Sequence, residues 1–180
     1  MHVITGKFKG RSLLFNSDDK VRPTKAMVKE ALISMFKSKI KDSEVLDLFC
    51  GSGAVAIEFI SNDAKKAVVI DKDTQIVKKN INNLKIENKI EVYRNDAFLA
   101  LKIIARKERK FDFIVLDPPY YQGMLNDLLL AITQFAILKP AGIIIVECPQ
   151  NFDLSDDYLS LKKVKEKKYG LTKVVIYERK

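Results

Sequence analysis

The chain has 180 residues, with 32 Lys and Arg against 23 Asp and Glu for a net charge of +9, one His and two Cys. That length supports one domain burying roughly 70% of its unfolded surface. Two cysteines without C-x-x-C or Cys/His spacing exclude a disulfide framework and a zinc site. The longest apolar runs, such as AGIIIV at 141–146, are too short to span a bilayer and MHVITGKFKG lacks the apolar stretch of a secretory signal, so a cytoplasmic protein with no membrane contact is expected.

The chain opens on HVITG and RSLLF flanking GKFKG, which predicts a β-hairpin with a basic tip of Lys7, Lys9 and Arg11. TKAMVKEALISMFKSKI follows with apolar residues at helical spacing, Pro23 at its start and Thr24 as an alternative cap. From residue 44 short β-branched runs alternate with helix-length amphipathic segments, the pattern of a doubly wound, mostly parallel sheet covered on both faces. EVLDLF, KAVVID, KIEVYR, FDFIVLD and GIIIVE are the predicted strands. AVAIEFIS, TQIVKKNINNLK, AFLALKIIARK and GMLNDLLLAITQFA are the intervening helices. LKKVKEKKYG and LTKVVIYER, around Gly170, predict an antiparallel pair closing the sheet. Residues 1–41 thus form an extension on the core of residues 42–180, within one α/β domain.

Charge is unevenly placed: residues 1–41 carry +7, residues 161–180 carry +6, and the stretch between them −4. Basic ends on a mildly acidic body suit a polyanionic partner and salt-dependent binding, or else a solvated lysine surface.

DLFCGSGAVA, Asp47 to Ala56, contains G-x-G-x-x-A, and Asp71 follows Gly51 by 20 positions, as in a dinucleotide-binding fingerprint. Ligands of such sheets bind outside the carboxyl ends of the strands, and Asp47, Asp71 and Asp96 all fall there. A carboxylate about 6 Å from a phosphate opposes it by roughly 3 kcal/mol at an effective dielectric near 20. S-adenosylmethionine offers a ribose and an adenine, no phosphate, and two positive groups, so an acidic crevice favours it over a nicotinamide dinucleotide. The plainer alternative is a strand-to-helix turn with Asp47 as a cap.

Asp117-Pro118-Pro119-Tyr120 follows the fourth strand at the same edge. The prolines make a stiff turn rich in carbonyl acceptors. If the Asp117 carboxylate and the Pro118 carbonyl each accept one N–H of a nucleobase amine, its lone pair is freed toward a donor methyl. Tyr120 supplies a stacking face. The alternative is an ordinary turn plugged by an aromatic ring. The single histidine, His2, stands at the terminus, so no base for a Ser-His-Asp or Cys-His mechanism exists.

GKFKGR, RPT, DLFCGSGA, the acid after the second strand, NDA and DPPY occur here in the order seen in the RsmD family, the bacterial small-subunit ribosomal RNA guanine-N2 methyltransferases, which the chain resembles from Gly6 to Arg179. The resemblance implies a Rossmann-like class I methyltransferase that takes S-adenosylmethionine and acts on a guanine of 16S rRNA, in the small subunit or an assembly intermediate, as a monomer. It implies that Asp47, Gly51 and Gly53 meet the methionine end of the donor, Asp71 its ribose, and Asp96 with Ala97 its adenine. It places Asp117, Pro118 and Tyr120 on the guanine amine and Arg22, Pro23 and Thr24 beside the cleft. Lys7, Lys9 and Arg11 would grip RNA phosphates. Met27 stands where members often carry arginine, and Asp71 where they carry glutamate. The rival readings are an adenine-N6 methyltransferase of DNA, a protein glutamine methyltransferase, and an inactive RNA-binding protein on the same fold.

Overall fold

The computed structural model describes residues 1–15, 23–119 and 124–180, apart from the side chains of 23–25. Five strands run parallel: β1 (Glu44–Asp47), β2 (Lys66–Asp71), β3 (Ile90–Arg94), β4 (Phe111–Leu116) and β5 (Leu138–Pro149). β6 (Asp157–Tyr158), β7 (Leu161–Tyr169) and β8 (Thr172–Arg179) add an antiparallel flank, giving the order β3-β2-β1-β4-β5-β8-β7-β6. This is the Rossmann-like arrangement that alternating strands and helices predicted, with the additional two-residue β6 at one edge.

The strands are apolar on both faces because both are covered. Val45, Val69, Phe113, Val115 and Ile145 face one core, shared with α1 (Pro23–Ile40), α2 (Ala54–Ser61) and α3 (Gln75–Leu84). Leu46, Ile70, Ile114, Leu116 and Val146 face the other, shared with α4 (Ala97–Arg106) and α5 (Met124–Gln134). Successive residues alternate between the two cores, as the period-2 geometry of a strand requires. Among the described residues no helix is long and apolar enough to cross a membrane.

The N-terminal hairpin is only partly formed. Main-chain bonds join Val3 N–H to Arg11 C=O (2.9 Å) and Gly10 N–H to Val3 C=O (2.8 Å), but among the described residues the strands meet in a single bridge, His2 with Ser12, and Gly6–Phe8 coil into a 3₁₀ turn. A ladder fails because the donors are taken elsewhere: Ile4 N–H (2.7 Å) and Thr5 N–H (3.2 Å) both donate to the carboxylate of Glu58 on α2. Gly6 has φ +74°, and a Cβ there would lie 2.0 Å from the Ser61 carbonyl oxygen, so the turn sits directly on the C-terminal end of α2.

A helix following a parallel strand returns toward the amino edge of the sheet, so this contact places the Lys7–Gly10 tip at the edge away from the strands' carboxyl ends. The chain then climbs back. Asn80 of α3, 1% exposed, holds Leu14 by both main-chain groups, accepting from N–H at 2.7 Å and donating to C=O at 2.9 Å. Its amide also donates to the Ser52 carbonyl of the glycine turn at 2.8 Å. α1 leads through Ser43 into the amino end of β1, so its first residues, Thr24 among them, stand roughly 27 Å up the helix at the carboxyl edge.

Candidate active site

β1 hydrogen-bonds to β4 with Asp47 opposite Val115, so Asp47 and Asp117 leave neighbouring strands at the same edge within two residues of each other's level. β2 pairs Val69 with Asp47 on the other side, and Asp71 ends that strand. Asp47 is buried and accepts from the Phe49 N–H at 3.4 Å. Burial first, then the charges of Asp117 and Asp71, against the Phe49 hydrogen bond, raise its carboxyl to about 7. Three carboxylates therefore lie within electrostatic reach of one another, and the glycine turn and the proline turn share one crevice rather than opposite sides of the molecule.

The two glycines do different work. Gly53 has φ +78° and precedes α2; a Cβ there would meet Val77 Cγ2 at 2.5 Å, so its bareness lets α3 close onto the turn. Gly51, with φ +50°, would place a Cβ in open space. Its conformation fixes the loop and leaves an uncovered main chain facing the crevice.

Asp71 joins loop to strand: its Oδ2 accepts the Gly51 N–H at 2.8 Å and its Oδ1 the Asp73 N–H at 3.2 Å. A carboxylate has about four acceptor directions, so capacity remains for ribose hydroxyls. Asp96 caps α4, its Oδ1 accepting from Phe98 N–H (2.9 Å) and Leu99 N–H (3.3 Å), while Oδ2 stands 4.0 Å from Lys72 Nζ. Ala97 begins that helix with its methyl in the core. Asp96 was expected in the acidic crevice and at the adenine; its cap was not foreseen, although N-D-A before an apolar helical run carries that signal.

Asp117 and Pro118 follow β4 directly and are half-buried, with Pro119 exposed. Tyr120 and Arg22 lie outside the described residues, as does the side chain of Thr24. Lys7, Lys9 and Arg11 are not brought to the crevice. Lys7 pairs with Asp63 just past α2, and the Arg11 guanidinium reaches the Asn83 carbonyl at 3.5 Å near the end of α3, both toward the amino edge. Packing of Gly6 on Ser61 sets this tip, expected to grip RNA phosphates, apart from the crevice.

Both cysteines are buried. Burial raises the Cys50 thiol far above its usual range, and Cys148 up to about 11. Among the described residues no His, Cys, Asp and Glu are grouped as a metal site. Two residues with clear duties were missed, Glu58 and Asn80; a lone carboxylate inside the apolar helix AVAIEFIS was the available sign for the first.

YlbH of Bacillus subtilis (strain 168) is 37% identical over 182 residues, covering 99% of both chains. Ribosomal RNA small subunit methyltransferase D of Buchnera aphidicola (strain APS) is 33% identical over 150 residues, 82% of this chain and 77% of that protein. The solved structure of yhhF from Escherichia coli superposes with a TM-score of 0.88 at 28% identity, covering 100% of this chain and 98% of that one. The family described as Conserved hypothetical protein 95 matches residues 1–178. With the fold, the glycine turn and the proline turn all inside that match, the chain belongs to this family, that of the small-subunit ribosomal RNA methyltransferases D.

Proposed function

We propose that the protein transfers a methyl group from S-adenosylmethionine to the exocyclic N2 amine of a guanine in small-subunit ribosomal RNA. The observation that carries this reading is the crevice itself: Asp47, Asp71 and Asp117 at one sheet edge, an uncovered Gly51 main chain, and a double proline as its far wall. The donor fits because the crevice is acidic where it is cationic, and because a Cβ at Gly51 would have met nothing. When bound it supplies an electrophilic methyl on a sulfonium. Asp47, Gly51 and Gly53 hold its methionine end, Asp71 its ribose, and Asp96 with the first turn of α4 its adenine.

Asp117 and the Pro118 carbonyl accept the two N–H groups of the guanine amine, and Tyr120 stacks on the base. The nitrogen lone pair forms the new N–C bond while the methyl–sulfur bond breaks, its electrons leaving on sulfur. Asp117 stabilises the positive charge on nitrogen until a proton departs. Arg22 and Thr24 border this cleft. Lys7, Lys9 and Arg11 belong to no part of it. The substrate is the small subunit or its assembly intermediate, and the enzyme works as a cytoplasmic monomer.

Transfer of labelled methyl to small-subunit RNA from cells lacking this protein, followed by nucleoside analysis, tests the reading. N2-methylguanosine supports it. Label in DNA adenine or in protein glutamine replaces it with a rival, and absence of donor binding by calorimetry makes the chain an inactive fold.

The raised Asp47 carboxyl adds a pH dependence. With a folded value of about 7 against 3.8, the folded chain keeps a proton that the unfolded chain releases, so this group's stability contribution is complete below pH 4 and is lost as pH rises through 7. A cationic donor favours the ionised form and must displace that proton below pH 7. Donor affinity therefore falls by up to about tenfold per pH unit below 7. Calorimetry between pH 5.5 and 7.5, where the donor's own amino group stays largely protonated, should show this slope, and Asp47→Asn should flatten it. A wild-type Kd constant over that range contradicts the assignment.

A further inference from the structure

The lysines of the C-terminal strand pair are sorted by the sheet into two sets. Lys163 pairs with Asp156 at 2.7 Å and Lys173 with Glu166 at 3.2 Å; both are largely buried and already neutralised. Lys165, Lys167 and Lys168 are exposed, and among the described residues none of them has an acidic partner in an ion pair.

Register explains where they face. Lys163 stands opposite Tyr177, and unbroken alternation would put Lys165 on that same side. A bulge at Val164 instead sets Lys165 opposite Ile176 and Lys167 opposite Val174. Ile176 and Val174 belong to the core under α1, so the bulge turns these two lysines to the α1 side of the sheet. Lys167 Nζ lies 5.3 Å from the ring of Tyr169 on that side. Lys168 stays on the opposite face, so the strip is basic on both sides at its end.

That end is the carboxyl edge. Pro149, the last residue of β5, pairs with Thr172, and Thr172 with Tyr169. Cys148, one residue back, lies opposite Lys173, which lies opposite Lys168. Since Leu116 stands opposite Val146, Asp117 and Pro118 reach this same level. Three strand spacings of about 4.8 Å, from β4 across β5 and β8 to β7, separate the proline turn from the lysines, roughly 14 Å. Leu171, at the tip between β7 and β8, is 78% exposed.

We propose that the β7–β8 hairpin, through Lys165, Lys167 and Lys168 with Leu171 at its tip, is the phosphate-gripping surface that seats ribosomal RNA beside the proline turn. This rests on the methyl-transfer reading for the identity of the RNA. A basic edge strand also deters edge-to-edge association of sheets. Charge reversal separates the two duties, because glutamates keep an edge strand charged while repelling phosphate.

The test is filter binding of unmodified small-subunit rRNA transcript across a salt series, with Lys165→Glu/Lys167→Glu/Lys168→Glu and, as an exposed control on α4, Lys102→Glu. The triple variant should bind at least about tenfold more weakly and lose two to three units of the slope of log K against log salt, at about 0.7–0.9 per phosphate contact. Its donor affinity and monomeric state should match wild type, and Lys102→Glu should bind as wild type does. Unchanged affinity and slope in the triple variant overturn the surface while leaving the methyl-transfer reading intact. Weakened binding by the triple variant, with a wild-type protein that methylates no RNA, supports the surface and overturns that reading.

Discussion

Replacing Asp117 by alanine is expected to lower methyl transfer by about 10²–10³ in single-turnover assays while sparing donor affinity. In the proposed reaction the carboxylate accepts from the acceptor amine, so its loss removes an interaction that strengthens as charge develops on nitrogen. Donor binding should even tighten slightly below pH 7, because Asp117 is one of the charges that hold the Asp47 carboxyl up, and without it Asp47 ionises more readily. This coupled sign distinguishes loss of a catalytic group from general damage, which would weaken both. Asp117→Asn keeps an acceptor oxygen without the charge and should fall between alanine and wild type. Rapid-quench transfer from pre-bound donor, with calorimetry alongside, reads both quantities. Transfer within threefold of wild type for the alanine variant contradicts the role.

What could be read from residues alone was the part governed by local period. KAVVID and AVAIEFIS match β2 and α2 in full, because β-branched runs between turn residues and a glycine-capped apolar helix each admit one reading. The crevice was legible for a related reason: in a parallel sheet every strand-to-helix loop falls at one edge, so Asp47, Asp71, Asp96 and Asp117 had to gather there. The direction taken by the N-terminal tip was not legible. It depends on Gly6 meeting Ser61 and on Ile4 and Thr5 meeting Glu58, contacts between residues more than 50 positions apart. The bulge at Val164 was hidden for a different reason: lysine occupies both faces of β7, so the sequence there has no apolar alternation to fix the register. Asn80 gives no sign in TQIVKKNINNLK, where three asparagines look alike and only packing selects the one that holds Leu14 and Ser52.

Glu58 carries the second large effect, on stability. Its carboxylate is 1% exposed and accepts from Ile4 N–H, Thr5 N–H, the Thr5 hydroxyl and, at 3.2 Å, the ammonium of Lys29, itself buried on α1. Among the described residues, Glu58→Ala leaves Lys29 with the His2 carbonyl at 3.4 Å and strips two main-chain donors of their acceptor. Breaking a buried pair from one side costs about 3–5 kcal/mol, and a domain of this size loses about 2–4 °C in Tm per kcal/mol, so melting should fall by roughly 6–20 °C. Lys29→Met should cost clearly less, since Glu58 keeps three hydrogen-bond donors and methionine fills the volume of the lysine stem. An ion pair valued for its attraction alone would make the two losses equal, and equal losses in thermal melts of the two variants would reject this account. The effect should stay local at low temperature: the crevice is built by β1, β2 and β4 without the N-terminal extension, so Glu58→Ala below its melting point should bind donor nearly as wild type does.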